Sequence, residues 1–213
     1  TNDGMDITVS VGNLIPSNCY QIVSNTTEDT LIFLTSATGD TQTAPFSGTA
    51  SSTDADTMYI YKYFFDGGEK VQNAWSKWTF TGAKIIGAMS LESFIYVLIS
   101  EGTTTKLVKI DLRNLKDATI GHGVYIDLKT SVTGTYASGT GLTTFTSPYG
   151  AKTGLIAVDR NNGNNYTATN TAGSTYTIVG DHTDLYIGVP YESKYTLSPQ
   201  YVRENTGRGL VAV

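Results

Sequence analysis

The sequence predicts an all-β protein: β-propeller blades, meaning four-stranded antiparallel meanders, followed by a second small β-barrel or β-sandwich domain. Three observations carry this. Apolar runs of strand length recur along the chain, separated by short turn-forming segments. About one residue in six is Thr, with 22 Gly and 14 Tyr, a usage that suits strands and turns better than helices built on Ala, Leu, Glu and Lys. The third is the stretch MYIYKYFFDGGEKVQNAWSKWTF at 58–80, where two aromatic-rich segments flank Asp66-Gly67-Gly68. Aspartate followed by two glycines tolerates the positive φ of a hairpin turn.

In chain order, strands are expected at 20–24 and 31–35, both short and rich in β-branched residues. Residues 36–57, SATGDTQTAPFSGTASSTDADT, are small, polar and turn-forming, with Pro45 and Phe46 as the sizeable apolar residues, and predict a long loop. The hairpin follows. Its first strand, 58–65, puts Tyr59, Tyr61, Tyr63 and Phe65 on one face, and its return strand, 72–80, carries both tryptophans, Trp75 and Trp78. Strands at 84–90, 94–100 and 106–112 form a second meander, with 124–128 as a possible fourth member. Two such meanders in tandem look like propeller blades, although a sandwich gives similar local signals.

After about residue 130 the composition turns Gly/Thr/Ser-rich, which sets the expected domains at 1–130, the blade region with the polar loop at 36–57, and 131–213. In the second, strands are expected at 154–159, 166–169, 175–179, 185–189 and 193–197, with turns at 161–165 and 180–181. Helix is possible only at 115–118 and beyond Tyr201. The chain begins with Thr1 and ends Leu-Val-Ala-Val, which suggests a piece of something longer.

Charge excludes one class of function. The formal net charge is −5, and the densest basic group, Lys106, Lys109, Arg113 and Lys116, alternates with Asp111 and Asp117, the pattern of a solvated edge and not of a phosphate clamp. No apolar stretch approaches the length of a membrane span. The single cysteine, Cys19, cannot form an internal disulfide and reads as a small buried hydrophobe.

Candidate chemistry is sparse. His122 and His182 are far apart, and neither has an acid, thiol or second histidine at metal-ligand spacing, so no catalytic or metal role is assigned to them. The segment DRNNGNN at 159–165 has oxygens near a glycine, but its glycine stands fifth and its twelfth position is Asn170, so the calcium-loop pattern fails; an Asn-stabilised turn explains it. Asp54, Asp56, Asp66, Glu69, Glu92, Glu101, Asp111 and Asp127 could include a glycosidase-like pair, which sequence alone does not reveal. No nucleophile elbow, dinucleotide-binding loop or phosphate-binding loop is present. Site residues, metals and cofactors are therefore expected to be absent, and the chain is expected not to be an enzyme.

The segment VQNAWSKWTF at 71–80, preceded by YIYKYFFDGGEK, resembles the tail tubular protein B, or nozzle protein, family of short-tailed bacteriophages. A second region, LYIGVPYESKYTLSPQYVRE at 185–204, is similar to that family's Tyr-rich strand pair followed by an arginine; IYVLIS and KLVKIDL match its paired blade strands less specifically. The resemblance implies a virion tail protein with a propeller built from distant segments and a platform-like β domain. It further implies a ring-shaped homo-hexamer below a tubular adaptor protein, anchoring tail fibres and continuing the channel through which double-stranded DNA leaves. Nozzle proteins are several times longer than this chain. The competing reading is a carbohydrate-binding or polysaccharide-degrading β domain of a phage tail, and a third is a generic structural adhesin.

Overall fold

The computed structural model describes residues 19–35, 56–67, 69–113 and 115–195, the short strands at 201–203 and 210–212, and a few single positions nearer the N-terminus. The described residues form strands and turns with no helix. They divide into two units, Thr1–Arg113 and Asn114–Val213.

The first unit opens with a four-stranded antiparallel meander, β1 (Cys19–Asn25), β2 (Thr30–Thr35), β3 (Thr57–Asp66) and β4 (Glu69–Thr79), in sheet order β1-β2-β3-β4. The expected hairpin is β3-β4: Asp66 pairs with Glu69, Gly67 takes φ 57°, and Tyr61 stands opposite Trp75. A three-stranded meander follows, β5 (Lys84–Leu91), β6 (Phe94–Glu101) and β7 (Thr104–Asp111). The expected fourth member at 124–128 is absent from it, because residues 123–126 are irregular and the next strand starts at Asp127 in the second unit. Of the polar loop expected at 36–57, residues 36–55 lie outside the described residues, and Thr57 already belongs to β3.

One core joins the two meanders. Val23, Ile32, Leu34, Met58 and Ile60 from the first sheet meet Ile85, Ile95, Val97 and Ile99 from the second, with Trp78 and Phe80 packed alongside. These residues alternate along their strands, so the period of two in the sequence is what turns them all to one face. The two sheets are also fastened by side-chain amides and a phenol from β1. Gln21 donates from Nε2 to the Ala88 carbonyl at 2.8 Å and accepts the Ala88 N–H at 3.1 Å; Asn25 Nδ2 donates to the Glu92 carbonyl at 2.8 Å; and Tyr20 donates to the Ile85 carbonyl at 3.2 Å. Edge carbonyls and amides that a solvated sheet would leave to water are thus satisfied inside the protein.

Because Trp75 and Trp78 are three residues apart they point to opposite faces. Trp78, opposite Met58, backs the core, whereas Trp75 lies 4.9 Å from Tyr61 and 5.2 Å from Phe33, centroid to centroid, and donates to the Ile7 carbonyl at 3.1 Å. Tyr63 and Phe65 continue the aromatic ladder along β3.

The second unit contains two four-stranded antiparallel sheets. One has the order β12-β11-β15-β8 and the other β13-β14-β10-β9, built from β8 (Asp127–Thr133), β9 (Thr135–Ala137), β10 (Leu142–Thr146), β11 (Ile156–Asp159), β12 (Asn165–Thr167), β13 (Thr169–Ala172), β14 (Thr175–Val179) and β15 (Asp184–Val189). Phe145, Tyr176 and Ile178 from one sheet share a core with Ala157, Leu185 and Ile187 from the other, joined by Leu155 from just before β11. That is the layering of a sandwich.

Strand β9 and strand β10 arise inside the Gly/Thr/Ser-rich stretch, where Thr143 and Phe145 point inward between exposed threonines. The single strand expected at 166–169 is two, since the chain breaks at Ala168, whose N–H bonds the Leu155 carbonyl at 3.0 Å, and passes from one sheet to the other. Gly134 makes the same passage between β8 and β9. A Cβ there would meet the His182 carbonyl at 2.3 Å, so only glycine fits this corner. The helix considered at 115–118 is instead a turn at 118–120, closed by a bond from the Gly121 N–H to the Asp117 carbonyl. No strand forms at 193–195, and 196 and 197 lie outside the described residues. Beyond Tyr201 the described residues are extended, with β16 (Tyr201–Arg203) paired to β17 (Leu210–Ala212).

Candidate functional site

Several residues singled out from the sequence have structural roles. Cys19 is half-buried, its thiol donates to the Gln21 carbonyl, and burial raises its pKa, which disfavours the reactive thiolate. His122 is exposed, with Nδ1 3.0 Å from the Ile120 carbonyl. The segment at 159–165 is an Asx-bonded turn: Asp159 accepts the Asn161 N–H at 2.8 Å, Asn162 accepts the Asn164 N–H at 2.8 Å, and Gly163 takes φ 77°. The side-chain oxygens of Asp159 and Asn162 are thus bonded within the turn and to His182. Among the described residues no group of three or more His, Cys, Asp or Glu is placed to hold a metal ion.

The structure brings together one pair that the sequence did not suggest. His182 Nδ1 lies 2.8 Å from Asp159 Oδ2, with both side chains buried, and the Tyr166 ring stands 4.2 Å from the imidazole. Histidine and carboxylate in contact are two members of a hydrolytic triad, but the third is missing here. Nε2 faces the Val179 carbonyl at 3.1 Å, and the nearby Thr143 hydroxyl bonds backbone groups, donating to Gly180 and accepting the His182 N–H. A carbonyl cannot act as a nucleophile, so the pair is a buried brace between the end of β11 and the loop before β15. The separation of 23 positions between Asp159 and His182 hides it from any motif search.

A second polar cluster surrounds Tyr186. Its hydroxyl donates to Asp117 Oδ2 at 2.7 Å, Arg160 binds Asp184 through Nη1 at 3.0 and 3.1 Å, and the Arg160 and Lys129 cations each stand 4.5 Å from the Tyr186 ring centre. The bond from Tyr186 holds the Asp117 carboxyl down to about 2, helped by the Thr119 and Ile120 N–H groups and by Arg160. Carrying the opposite effect, that bond raises the Tyr186 pKa. Of the acids considered for a glycosidase pair, Glu101 bonds Lys106 and Asp111 binds Arg113, each facing a cation and not a second carboxylate. Asp127 has its pKa raised by burial. Asp56 accepts a bond from Thr57, and Asp54 lies outside the described residues.

Two surfaces of the first unit remain. A shallow groove of about 360 Å3 beside the hairpin is lined by Glu28, Asp29, Tyr63, Phe64, Gln72 and Asn73 among others. The outward face of β5-β6-β7 carries exposed Met89, Leu91 and Leu107.

A family model for the bacteriophage nozzle protein matches residues 1–213, and the chain belongs to that family. It is also similar to the tail tubular protein gp12 of Escherichia phage T7, at 28% identity over 159 residues that cover 70% of this chain and 18% of that relative. The chain thus spans less than a fifth of the relative that it matches. Family membership places the protein in the tail of the phage virion as a structural component. No helix among the described residues is long and apolar enough to cross a membrane.

Proposed function

We propose that this chain is a segment of the nozzle at the end of a short phage tail, in which six copies form a ring that continues the DNA channel. The observation that carries the reading is the stack of two consecutive meanders, β1 to β4 against β5 to β7, in a chain that matches the nozzle family from end to end. Stacked meanders in chain order are how a propeller is assembled, so the two sheets serve as successive blades. The boundary expected near residue 130 leaves 131–213, with its two-layered core, as the platform-like part. In the ring the nozzle abuts the tubular adaptor protein above, supports tail fibres at its side, and lets double-stranded DNA pass without sequence-specific binding. It performs no catalysis; its work is held in shape and contact.

Electron microscopy of the full-length nozzle protein tests this. Sixfold rings, alone or at the tip of purified tails, are expected; single molecules or threefold fibres under all assembly conditions overturn it.

One observation favours the second reading, a carbohydrate-binding surface. The groove beside the hairpin is lined by Tyr63, Phe64, Gln72, Asn73, Glu28 and Asp29, the aromatic, amide and acidic residue types found at sugar-binding surfaces. A glycan array and a reducing-sugar assay distinguish the two, since a nozzle segment gives a blank in both.

A further inference from the structure

Asparagine followed by glycine is the dipeptide most prone to lose its side-chain amide, because glycine has no Cβ to shield its backbone nitrogen from the asparagine Cγ. The chain holds one such pair, Asn162-Gly163. It sits in the turn between β11 and β12, where Asn162 is exposed to the water that the reaction consumes. In that reaction the Gly163 nitrogen gives up its proton and bonds Asn162 Cγ, and the side-chain nitrogen leaves as ammonia. Water then opens the succinimide ring to aspartate or, at its other carbonyl, to isoaspartate.

The folded turn holds each of the reacting groups. The Gly163 N–H donates to the Asp159 carbonyl at 2.7 Å, and a carbonyl accepts a hydrogen bond without taking the proton away. Asn162 Oδ1 accepts the Asn164 N–H at 2.8 Å while Nδ2 donates to Asp159 Oδ2 at 3.1 Å, so the amide is fixed at both ends and is not free to swing its Cγ onto the nitrogen. The Asp159 N–H closes the turn on the Asn164 carbonyl at 3.0 Å, and the His122 ring stands so near Gly163 that a Cβ there would meet its Cε1 at 2.8 Å.

We propose that Asn162 is a deamidation site gated by this turn: inert while the turn is closed, converted to aspartate or isoaspartate once the β11-β12 hairpin opens, and unable to close as before afterwards. The last step follows from what Asn162 Nδ2 touches. In the aspartate product an anionic oxygen takes the place of a donor 3.1 Å from Asp159 Oδ2, the same oxygen that lies 2.8 Å from His182 Nδ1. Two carboxylates at that separation repel. Isoaspartate also lengthens the backbone by one carbon within the turn, which displaces the bonds to Asp159 and Asn164. A chain that has opened is thereby marked, and the Asp159–His182 brace is drawn into the change. None of this depends on the ring.

Peptide mapping by mass spectrometry tests it in the full-length protein, held at mildly alkaline pH in native buffer and in guanidinium. Asn162 is expected to convert at least about tenfold more slowly in the native protein, since the reaction must wait for the open fraction. The Gly163 amide should be protected from hydrogen exchange as well, because one opening exposes both. Equal conversion with and without guanidinium overturns the proposal, as does a Gly163 amide that exchanges freely while Asn162 stays intact. Absence of conversion in guanidinium overturns it from the chemical side. Asn162→Asp, the product made directly, is expected to melt several degrees below Asn162→Ser, which removes the same donor without adding charge. Equal melting of the two overturns the claim that the turn cannot reclose.

Discussion

Asn25 joins the two sheets of the first unit with one side chain. It is 2% exposed, donates to the Glu92 carbonyl and accepts the Glu28 N–H at 2.9 Å. Asn25→Ala removes both bonds made by a buried side chain that ties the two sheets, and is expected to cost about 2 kcal/mol in equilibrium urea unfolding. Glu28→Ala is the contrast, since Glu28 meets Asn25 through its backbone and its side chain offers only a long-range attraction to Arg113; it should unfold nearly like the parent. Asp117 gives the second test. Its carboxyl titrates at about 2 when folded, below the ordinary value of 3.8, first because Tyr186 donates to it. A group depressed on folding stabilises the fold above its unfolded pKa and loses that contribution as pH falls through the folded one. The melting temperature should therefore drop between pH 3.8 and about 2, and Asp117→Asn should lower it at neutral pH while flattening that drop. An equally steep acid limb in the variant would remove Asp117 from the explanation.

The β3-β4 hairpin separates what a strand pattern determines from what it leaves open. Trp78 packs half-buried against the core beside Met58, so Trp78→Ala is expected to cost about 3 kcal/mol, the low end for losing a large core ring. Lys77→Glu, on an exposed position next to it, should stay within about 0.5 kcal/mol in the same urea titration. This hairpin was legible because local chemistry dictates it: a glycine turn between aromatic runs. Strands β1, β2, β5, β6, β7, β14 and β15 were legible for the same reason, their apolar period being intact. The breaks at Gly134 and Ala168 were not, because they answer to a neighbouring layer: the His182 carbonyl crowds Gly134, and the Leu155 carbonyl holds Ala168. Strands β9 and β10 were hidden by threonine, which serves loops and strands alike until a partner strand selects one. The Asp159–His182 contact was hidden by distance along the chain, and that Nε2 faces the Val179 carbonyl is set by the fold, which no sequence contains.

Taken over the entire chain, charge bears on whether the protein can hold nucleic acid. The 14 Lys and Arg residues are outnumbered by 19 Asp and Glu. Several described cations are also occupied: Lys106 by Glu101, Arg113 by Asp111, Arg160 by Asp184, and Lys194 by Glu192, while Lys109 and Lys129 lie over the rings of Phe94 and Tyr186. Binding to phosphates would first have to break these contacts and then overcome the net negative field, against a gain that comes mainly from released counterions. The chain is therefore expected not to retain duplex DNA on a filter even at about 50 mM salt, where charge-driven binding is strong. Freeing cations should shift the balance in a defined direction. In the triple variant Glu101→Gln, Asp111→Asn and Asp184→Asn, Lys106 and Arg113 lose their carboxylate partners, Arg160 keeps only Asp117, and the net charge rises from −5 to −2, so weak retention should appear and vanish as salt is raised. Salt-sensitive retention by the parent chain would mean that free phosphate contacts exist, and a protein that grips DNA in this way is poorly suited to let it slide.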